Sequence, residues 1–185
     1  MILSNLSDAE LMTLVAAKNE KAFAELVTRY HKKVFAVSWR LCLHTAQAED
    51  VTQEVFLKIW RFASKYQPTA LFSTWLYTVV HNCFADMKRR EKVTGDESGL
   101  ENLSDSRSLD AEMQKRDVSS AVASALSSLP QKQREVLVLC YYEGLTAQQA
   151  AQAAGISQGA AEMLLFRARR TLKNILLNEK KELLA

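Results

Sequence analysis

The chain has 185 residues, 48% of them hydrophobic and 24% charged, with only two prolines and five glycines. These proportions are typical of a globular protein, and the scarcity of turn-forming residues argues against a β-rich fold. Since domains commonly hold about 100–150 residues, we expect one ordinary domain or two small ones, all-α in either case.

The net charge of +3 conceals an uneven distribution along the chain. Residues 1–92 carry 13 Lys+Arg against 9 Asp+Glu, residues 93–117 carry 3 against 7, and residues 118–185 carry 8 against 5. The acidic stretch lacks aromatic residues and begins with a composition typical of a linker. We therefore predict two small helical domains at 1–92 and 118–185, joined by a flexible acidic linker at 93–117. Basic flanks suit a polyanionic partner.

Nothing in the sequence predicts a secreted, membrane-spanning or catalytic protein. The N-terminus has no cationic segment followed by an apolar one, and no apolar run reaches the roughly 18 residues of a membrane span, so we expect a cytoplasmic protein. Cys42, Cys83 and Cys140 form no C-x-x-C pair and are interpreted as reduced. Phosphate loops, nucleophile triads and metal-ligand spacings are missing as well, so we expect no cofactor, no metal and no enzymatic activity.

Helix signals divide the first domain into four helices. Ser7 and Glu10 form a capping-box pattern before a short helix, and Asn19 is placed to cap a second, longer one. A third helix opens at Thr45, and Pro68 interrupts the pattern after it. A fourth spans 72–91, where an apolar stripe predicts the buried side: Phe72, Trp75, Leu76, Val79, Val80, Cys83, Phe84 and Met87.

The third helix carries two stripes. One predicts a core face: Ala48, Val51, Val55, Ile59 and Phe62. The other is polar with one leucine embedded in it: Asp50, Gln53, Glu54, Leu57, Lys58 and Arg61. Spacing alone leaves two interpretations of this second stripe open, a surface that docks on another protein and a face that is merely solvated.

The second domain has the pattern of a helix-turn-helix. The small side chain of Ala151 allows the two helices to approach closely, Gly155 can adopt the left-handed turn, and Ala161 can pack beneath the first helix. The caps of the two helices are Thr146 and Ser157. Exposed early positions of the second helix would face base edges, namely Gln158, Ala160 and Glu162. Polar and basic positions would reach phosphates, namely Ser157, Arg167, Arg169, Arg170 and Lys173. The alternative is an antiparallel helix pair with a solvated basic end.

Four segments stand in order around the acidic linker: AEDVTQEVFLKIWRF, FSTWLYTVVHNCFADMKRRE, LPQKQREVLVLCYYEGLT and AAQAAGISQGAAEMLLFRARRTL. Together they resemble the bacterial extracytoplasmic-function sigma factors over nearly the whole chain apart from the linker. The resemblance implies a first domain that binds core RNA polymerase and melts the minus-ten promoter element, and a second domain that reads the minus-thirty-five element. It also implies a monomer when free, no small-molecule substrate, and an anti-sigma factor as a partner.

The resemblance assigns roles to residues of the first domain. The stripe containing Asp50, Gln53, Glu54, Leu57 and Lys58 would dock on the clamp helices of the largest polymerase subunit. A flipped minus-ten base would stack on Tyr66, because aromatic stacking at about 1–3 kcal/mol per base can offset much of the cost of unstacking. Asn82 would meet an exposed base edge, and phosphates would be held by Lys88, Arg89, Arg90 and Lys92. Trp75 lies on the apolar stripe and is interpreted as a core residue.

The reading turn departs from the pattern common in the family. Many members have a β-branched residue at the position of Ala161, a lysine at Glu162 and an arginine at Leu164, so the minus-thirty-five sequence is not predicted. Two other interpretations of the chain remain. The first is a helix-turn-helix regulator whose N-terminal domain binds a ligand or a partner, and such a regulator would normally dimerise on a palindrome. The second is an inhibitor-binding module that has lost DNA binding.

Overall fold

The computed structural model describes residues 2–67, 71–94 and 122–182. In these ranges the regular structure is helical and contains no strand, which confirms the all-α prediction. The N-terminal unit comprises α1 (Asp8–Ala16), α2 (Glu20–Cys42), α3 (Thr45–Phe62) and α4 (Phe72–Thr94), with short 3-10 turns at Leu3–Asn5 and Ala63–Lys65. Pro68 and residues 95–117 of the predicted linker lie outside the described residues, whereas Val93 and Thr94 continue α4.

The helix starts of the N-terminal unit follow the capping residues of the sequence. The backbone N–H of Glu10 donates to Ser7 Oγ at 3.3 Å, and the N–H of Ser7 donates to the Glu10 carboxylate at 2.7 Å, which completes the predicted capping box. Asn19 Oδ1 accepts from the N–H of Ala22 at 3.0 Å and begins α2.

The core of the N-terminal unit lies where α2, α3 and α4 meet. The predicted stripe of α4 is buried or half-buried throughout, and Leu76, Val80 and Phe84 are fully shielded from solvent. The core face of α3 is buried from Ala48 to Ile59. Phe62 is a correction to the predicted core face: it is 44% exposed, because α3 ends there and the chain turns away before another helix can cover it.

The C-terminal unit folds as the predicted helix-turn-helix. The described part of α5 covers residues 122–127, and α6 (Gln131–Tyr141), α7 (Ala147–Ala154) and α8 (Gln158–Glu182) follow. A capping box between Thr146 and Gln149 begins α7, and Gly155 ends it with a φ of 65°. Ala151 and Ala161 are 3% and 0% exposed, so α8 packs closely beneath α7.

The two units pack against each other. Helix α7 lies on α4, and α6 lies on α2, so the buried residues of both units form one continuous cluster. Tyr77 and Thr74 of α4 lie off the apolar stripe, yet they are only 3% and 2% exposed. Part of the polar side of α4 is therefore covered by the C-terminal unit.

Candidate binding surfaces

The polar stripe of α3 forms one wall of a groove. Asp50, Gln53, Glu54 and Leu57 line it together with Arg90 and other residues of α4, around a volume of about 290 Å³. Leu57 is 49% exposed although it is a large apolar side chain. The structure therefore brings these predicted binding residues together on one accessible surface, with an apolar anchor among polar groups.

Lys58 ties this stripe to α4. Its Nζ lies 3.0 Å from Asp86 Oδ2, and Arg89 Nη1 lies 3.3 Å from the other carboxylate oxygen. The hydrogen bond from Lys58 lowers the pKa of Asp86 below its ordinary value, so the ion pair persists further into the acid range than an isolated aspartate would stay charged. Lys58 thus joins α3 to α4 through an ion pair, and it also forms part of the polar stripe of α3.

Tyr66 belongs to an aromatic cluster at the start of α4. Its ring meets those of Trp75 and Phe72 edge to face, with centroid separations of 5.1 and 5.9 Å. Burial raises the pKa of its hydroxyl. A cavity of about 300 Å³ opens beside it between α1 and the turn after α3. The ring is therefore half-buried on a rigid platform, and Trp75 packs on the core as predicted.

Asn82 and the cations of α4 lie farther along the helix. Asn82 is exposed, one turn and a half before Lys88, whose Nζ pairs with Glu91 at 2.8 Å. Tyr66 lies before α4 begins, and because an α-helix rises about 1.5 Å per residue, Asn82 and the cations are spread along α4 from its middle to its end. The predicted minus-ten residues thus lie on the turn before α4 and along that helix, and they do not form one compact pocket.

The reading turn of α8 is open to solvent. Gln158, Ala160 and Glu162 are exposed, and Gln158 Nε2 donates to Glu162 Oε1 at 2.8 Å. Ser157 Oγ accepts from the N–H of Ala160 at 3.3 Å and begins the helix. The predicted phosphate-binding cations are exposed on the same helix: Arg167, Arg169, Arg170 and Lys173. Arg169 also lies over the ring of Tyr141 at 5.3 Å from the centroid.

Sequence reasoning missed the residues that join the two units. The Tyr77 hydroxyl donates a hydrogen bond to the Glu143 carboxylate, and His81 Nε2 lies 3.1 Å from Glu135 Oε2. Burial, together with the contact to Glu143, raises the pKa of Tyr77 far above its ordinary value. Their spacing of four residues on a polar side of α4 was a possible signal, but it does not say which partner covers them.

Neither unit has a helix long and apolar enough to cross a membrane within the described ranges. The same ranges hold no group of three or more His, Cys, Asp or Glu side chains positioned to bind a metal ion.

Comparison with known proteins identifies both units. The family model for sigma-70 region 2 matches residues 26–94, and the model for sigma-70 region 4 matches residues 119–172. The ECF RNA polymerase sigma factor SigK of Mycolicibacterium vanbaalenii is 30% identical over 76% of this chain and 74% of its own length. The chain belongs to the extracytoplasmic-function sigma factors.

Solved structures agree with this family membership. CnrH, in its complex with the cytosolic domain of CnrY, is 26% identical to this sigma factor, with a TM-score of 0.70 over 91% of this chain and 96% of CnrH. The sigma factor RpoE of Bartonella quintana, in complex with the anti-sigma factor NepR, shares the fold at 24% identity. Its TM-score is 0.68, over 84% of this chain and 97% of RpoE. The chain spans 63% and 42% of the lengths of two longer sigma-factor relatives.

Proposed function

We propose that this chain binds core RNA polymerase and directs it to promoters, where it opens the minus-ten element and reads the minus-thirty-five element. The observation that carries the proposal is the pairing of sigma-70 regions 2 and 4 on one chain, the second of them with an exposed reading turn. The polymerase supplies the chemistry, so the chain itself is not an enzyme, and it works where the polymerase and the chromosome are, in the cytoplasm.

The groove between α3 and α4 is the proposed polymerase-binding surface. An exposed leucine surrounded by polar groups suits the docking of a partner helix, because a buried apolar anchor supplies affinity while the polar rim supplies register. The residues assigned to this contact are Asp50, Gln53, Glu54, Leu57 and Lys58. Lys58 contributes mainly by positioning, since it already pairs with Asp86.

The start and the outer side of α4 are the proposed minus-ten surface. Tyr66 offers an aromatic edge beside a cavity, and the exposed amide of Asn82 can both donate to and accept from an unpaired base. Lys88, Arg89 and Arg90 follow at the end of the helix, where they can meet flanking phosphates.

The reading turn of α8 is the proposed minus-thirty-five surface. Gln158 and Glu162 face outward at the start of the helix, where side chains of a helix-turn-helix reach base edges in the major groove. Ala160 leaves room for close approach. The groups assigned to phosphates, which fix the register on DNA, are Ser157, Arg167, Arg169, Arg170 and Lys173.

These surfaces correspond to a division of the chain into a region 2 domain at 1–92, a linker at 93–117 and a region 4 domain at 118–185. The chain works as a monomer, without a small-molecule substrate or a cofactor. An anti-sigma factor is its proposed inhibitor, because the related RpoE was solved in complex with the anti-sigma factor NepR.

The test is run-off transcription from fragmented genomic DNA of a bacterium that carries this chain, using sigma-free core polymerase with and without the protein. New start sites that share upstream sequences at two positions would support the proposal and reveal the promoter. Binding to core without new starts would favour the inhibitor-directed module instead. Tight dimeric binding to duplex DNA without polymerase would favour the helix-turn-helix regulator.

A further inference from the structure

The outward side of α8 carries two large apolar side chains just after the reading turn. Met163 is 51% exposed and Phe166 is 62% exposed. The two residues lie three positions apart on the helix, so their side chains are neighbours on its surface. The opposite side of α8 is buried, with Ala161 and Ala168 fully shielded from solvent. Packing within this chain therefore does not account for Met163 and Phe166.

Helix geometry places this pair at the centre of the outward side of α8. Successive residues of an α-helix are about 100° apart around the axis, so Phe166 lies about 160° around the helix from the buried Ala168. Gly159, two turns before Phe166 on the same line, has open space around its Cα. A recognition helix presents this kind of line to the base edges of the major groove. The backbone can approach DNA closely at Gly159, and the apolar pair follows directly.

The polar residues around the pair are occupied by other contacts or suit another role. Gln158 Nε2 donates to Glu162 Oε1 at 2.8 Å, so these side chains already satisfy part of each other's hydrogen-bonding capacity. Arg167 and Arg170 follow Phe166 on the exposed side, where cations fix the register through phosphates. The centre of the base-facing surface is therefore apolar.

In the major groove, one base presents an apolar group to such a surface. Guanine, adenine and cytosine present hydrogen-bond donors and acceptors there, whereas thymine also presents its C5-methyl group. An apolar side chain gains free energy when it removes a methyl group from water, but it leaves the donors and acceptors of the other bases without partners. The flexible thioether of Met163 and the flat ring of Phe166 can both pack on a methyl group.

We propose that Met163 and Phe166 bind the C5-methyl groups of two thymines in the minus-thirty-five element, and that this contact makes thymine a requirement of this chain at those positions. This inference rests on the proposed function and deepens it, because it names the chemical group that the reading helix recognises. The basic residues of α8 hold the phosphates, and the apolar pair supplies discrimination between bases.

The sequence of the minus-thirty-five element supplies the first test. A template library keeps the minus-ten element of a promoter found by run-off transcription and randomises the minus-thirty-five element, and core polymerase with the wild-type chain selects the transcribed templates. Three residues of helix rise about 4.5 Å and base pairs are about 3.4 Å apart. We therefore expect thymines, on either strand, at two base pairs that are adjacent or separated by one. Selected elements without these thymines would overturn the inference.

Deoxyuridine tests the methyl group itself, because it differs from thymidine only in lacking the C5-methyl group. Deoxyuridine at the selected positions should weaken promoter binding by the wild-type holoenzyme about fourfold for each methyl group removed. Deoxyuridine in the spacer between the two promoter elements is the template control and should leave binding unchanged. Equal binding of the thymidine and deoxyuridine templates by the wild-type holoenzyme would overturn the inference.

Protein variants connect the methyl effect to the apolar pair. The double variant Met163→Ala, Phe166→Ala should bind the thymidine and deoxyuridine templates equally well. Phe166→Leu keeps an apolar side chain and should retain part of the difference. Leu177→Ala is the matched control, because Leu177 is 47% exposed on the same helix three turns beyond Phe166, and it should retain the full difference. Circular dichroism checks that every variant remains helical.

Two results with the double variant would contradict the proposal. If it keeps the full methyl effect, other residues contact the thymines. If it binds both templates more weakly by the same factor while the wild type shows no methyl effect, the pair contacts a protein, such as the polymerase, and does not read DNA.

The two proposals fail in different ways. If the wild-type chain produces no transcript with core polymerase from any template, the proposed function is wrong, and the thymine contact fails with it. If the wild-type chain transcribes the selected templates without any methyl effect, only the thymine contact is wrong.

Discussion

The two long helices that carry the proposed DNA contacts, α4 and α8, are presented in different ways. On α8 the reading turn is exposed at Gln158, Ala160 and Glu162, and it is shaped by caps and a glycine within a few residues of it. On α4 one side is buried in the N-terminal core and another is covered through contacts with residues 54 and 66 positions away. The exposure of a surface built locally depends on its own neighbours along the chain, whereas the exposure of the α4 surface depends on how distant residues pack on it.

The largest expected effect concerns the buried side of α4. Phe84 is fully buried, so Phe84→Ala should lower the free energy of unfolding by about 3–5 kcal/mol through lost burial and a residual cavity. Urea denaturation followed by helix content measures it. Asn82→Ala on the exposed side of the same helix should change stability by no more than about 0.5 kcal/mol. Equal losses for both variants would mean that α4 is not anchored through its apolar stripe.

The next effect separates polymerase binding from folding. Leu57→Asp places a charge at the centre of the proposed docking groove and should weaken core binding by about 2 kcal/mol or more, roughly thirtyfold, as expected for a hot-spot residue. Fluorescence titration of labelled protein with core polymerase measures it.

Phe62→Asp is the control for Leu57→Asp. Phe62 is a large apolar side chain of the same helix, 44% exposed against 49% for Leu57, and it lies outside the docking stripe. Core binding should be unchanged in this variant. A comparable loss in both would indicate a general effect of negative charge on α3 and would remove the support for the groove.

A smaller effect tests the uncovered edge of α4. Asn82→Ala should reduce open-complex formation about tenfold, because it removes one or two hydrogen bonds to an unpaired base, while core binding stays the same. Permanganate reactivity of the promoter measures opening, and the core titration supplies the comparison.

Gln53→Ala on α3 should have the reverse effect, lowering core affinity while leaving promoter opening intact at saturating protein. If both variants lower both quantities in equal proportion, the proposed division between α3 and α4 is wrong.

Most of the fold could be predicted from local sequence signals. Ser7, Asn19 and Thr146 begin their helices as their side chains suggested, and Gly155 adopts the left-handed turn that the helix-turn-helix needs. These features depend on neighbouring residues alone. The exposure of Phe62 was missed, because the stripe pattern does not say where the covering helices end.

The candidate surfaces were predicted less completely. The α3 stripe and the α8 reading turn lie on single helices, and both are accessible as expected. The burial of Tyr77 against Glu143 was missed because it depends on how two units meet across an intervening segment, and helical periodicity carries no information about that arrangement. Tyr66 was predicted as a stacking residue, and its packing on Trp75 shows that it also belongs to a structural cluster.

The smallest expected effect on stability concerns the reading turn, where Gly155 and Gly159 flank the helix cap Ser157. Gly155 has a φ of 65° with open space around its Cα, so Gly155→Ala should cost about 1 kcal/mol from backbone strain alone. Gly159 lies within the first turn of α8, also in open space, so Gly159→Ala should instead stabilise the chain by about 0.5–1 kcal/mol through helix propensity. Thermal unfolding of the full chain measures both variants. If the turn is a preformed local element, the two variants must change the free energy of unfolding in opposite directions, because the turn conformation needs Gly155 but not Gly159. Destabilisation by both variants would mean that contacts beyond the turn hold it in place.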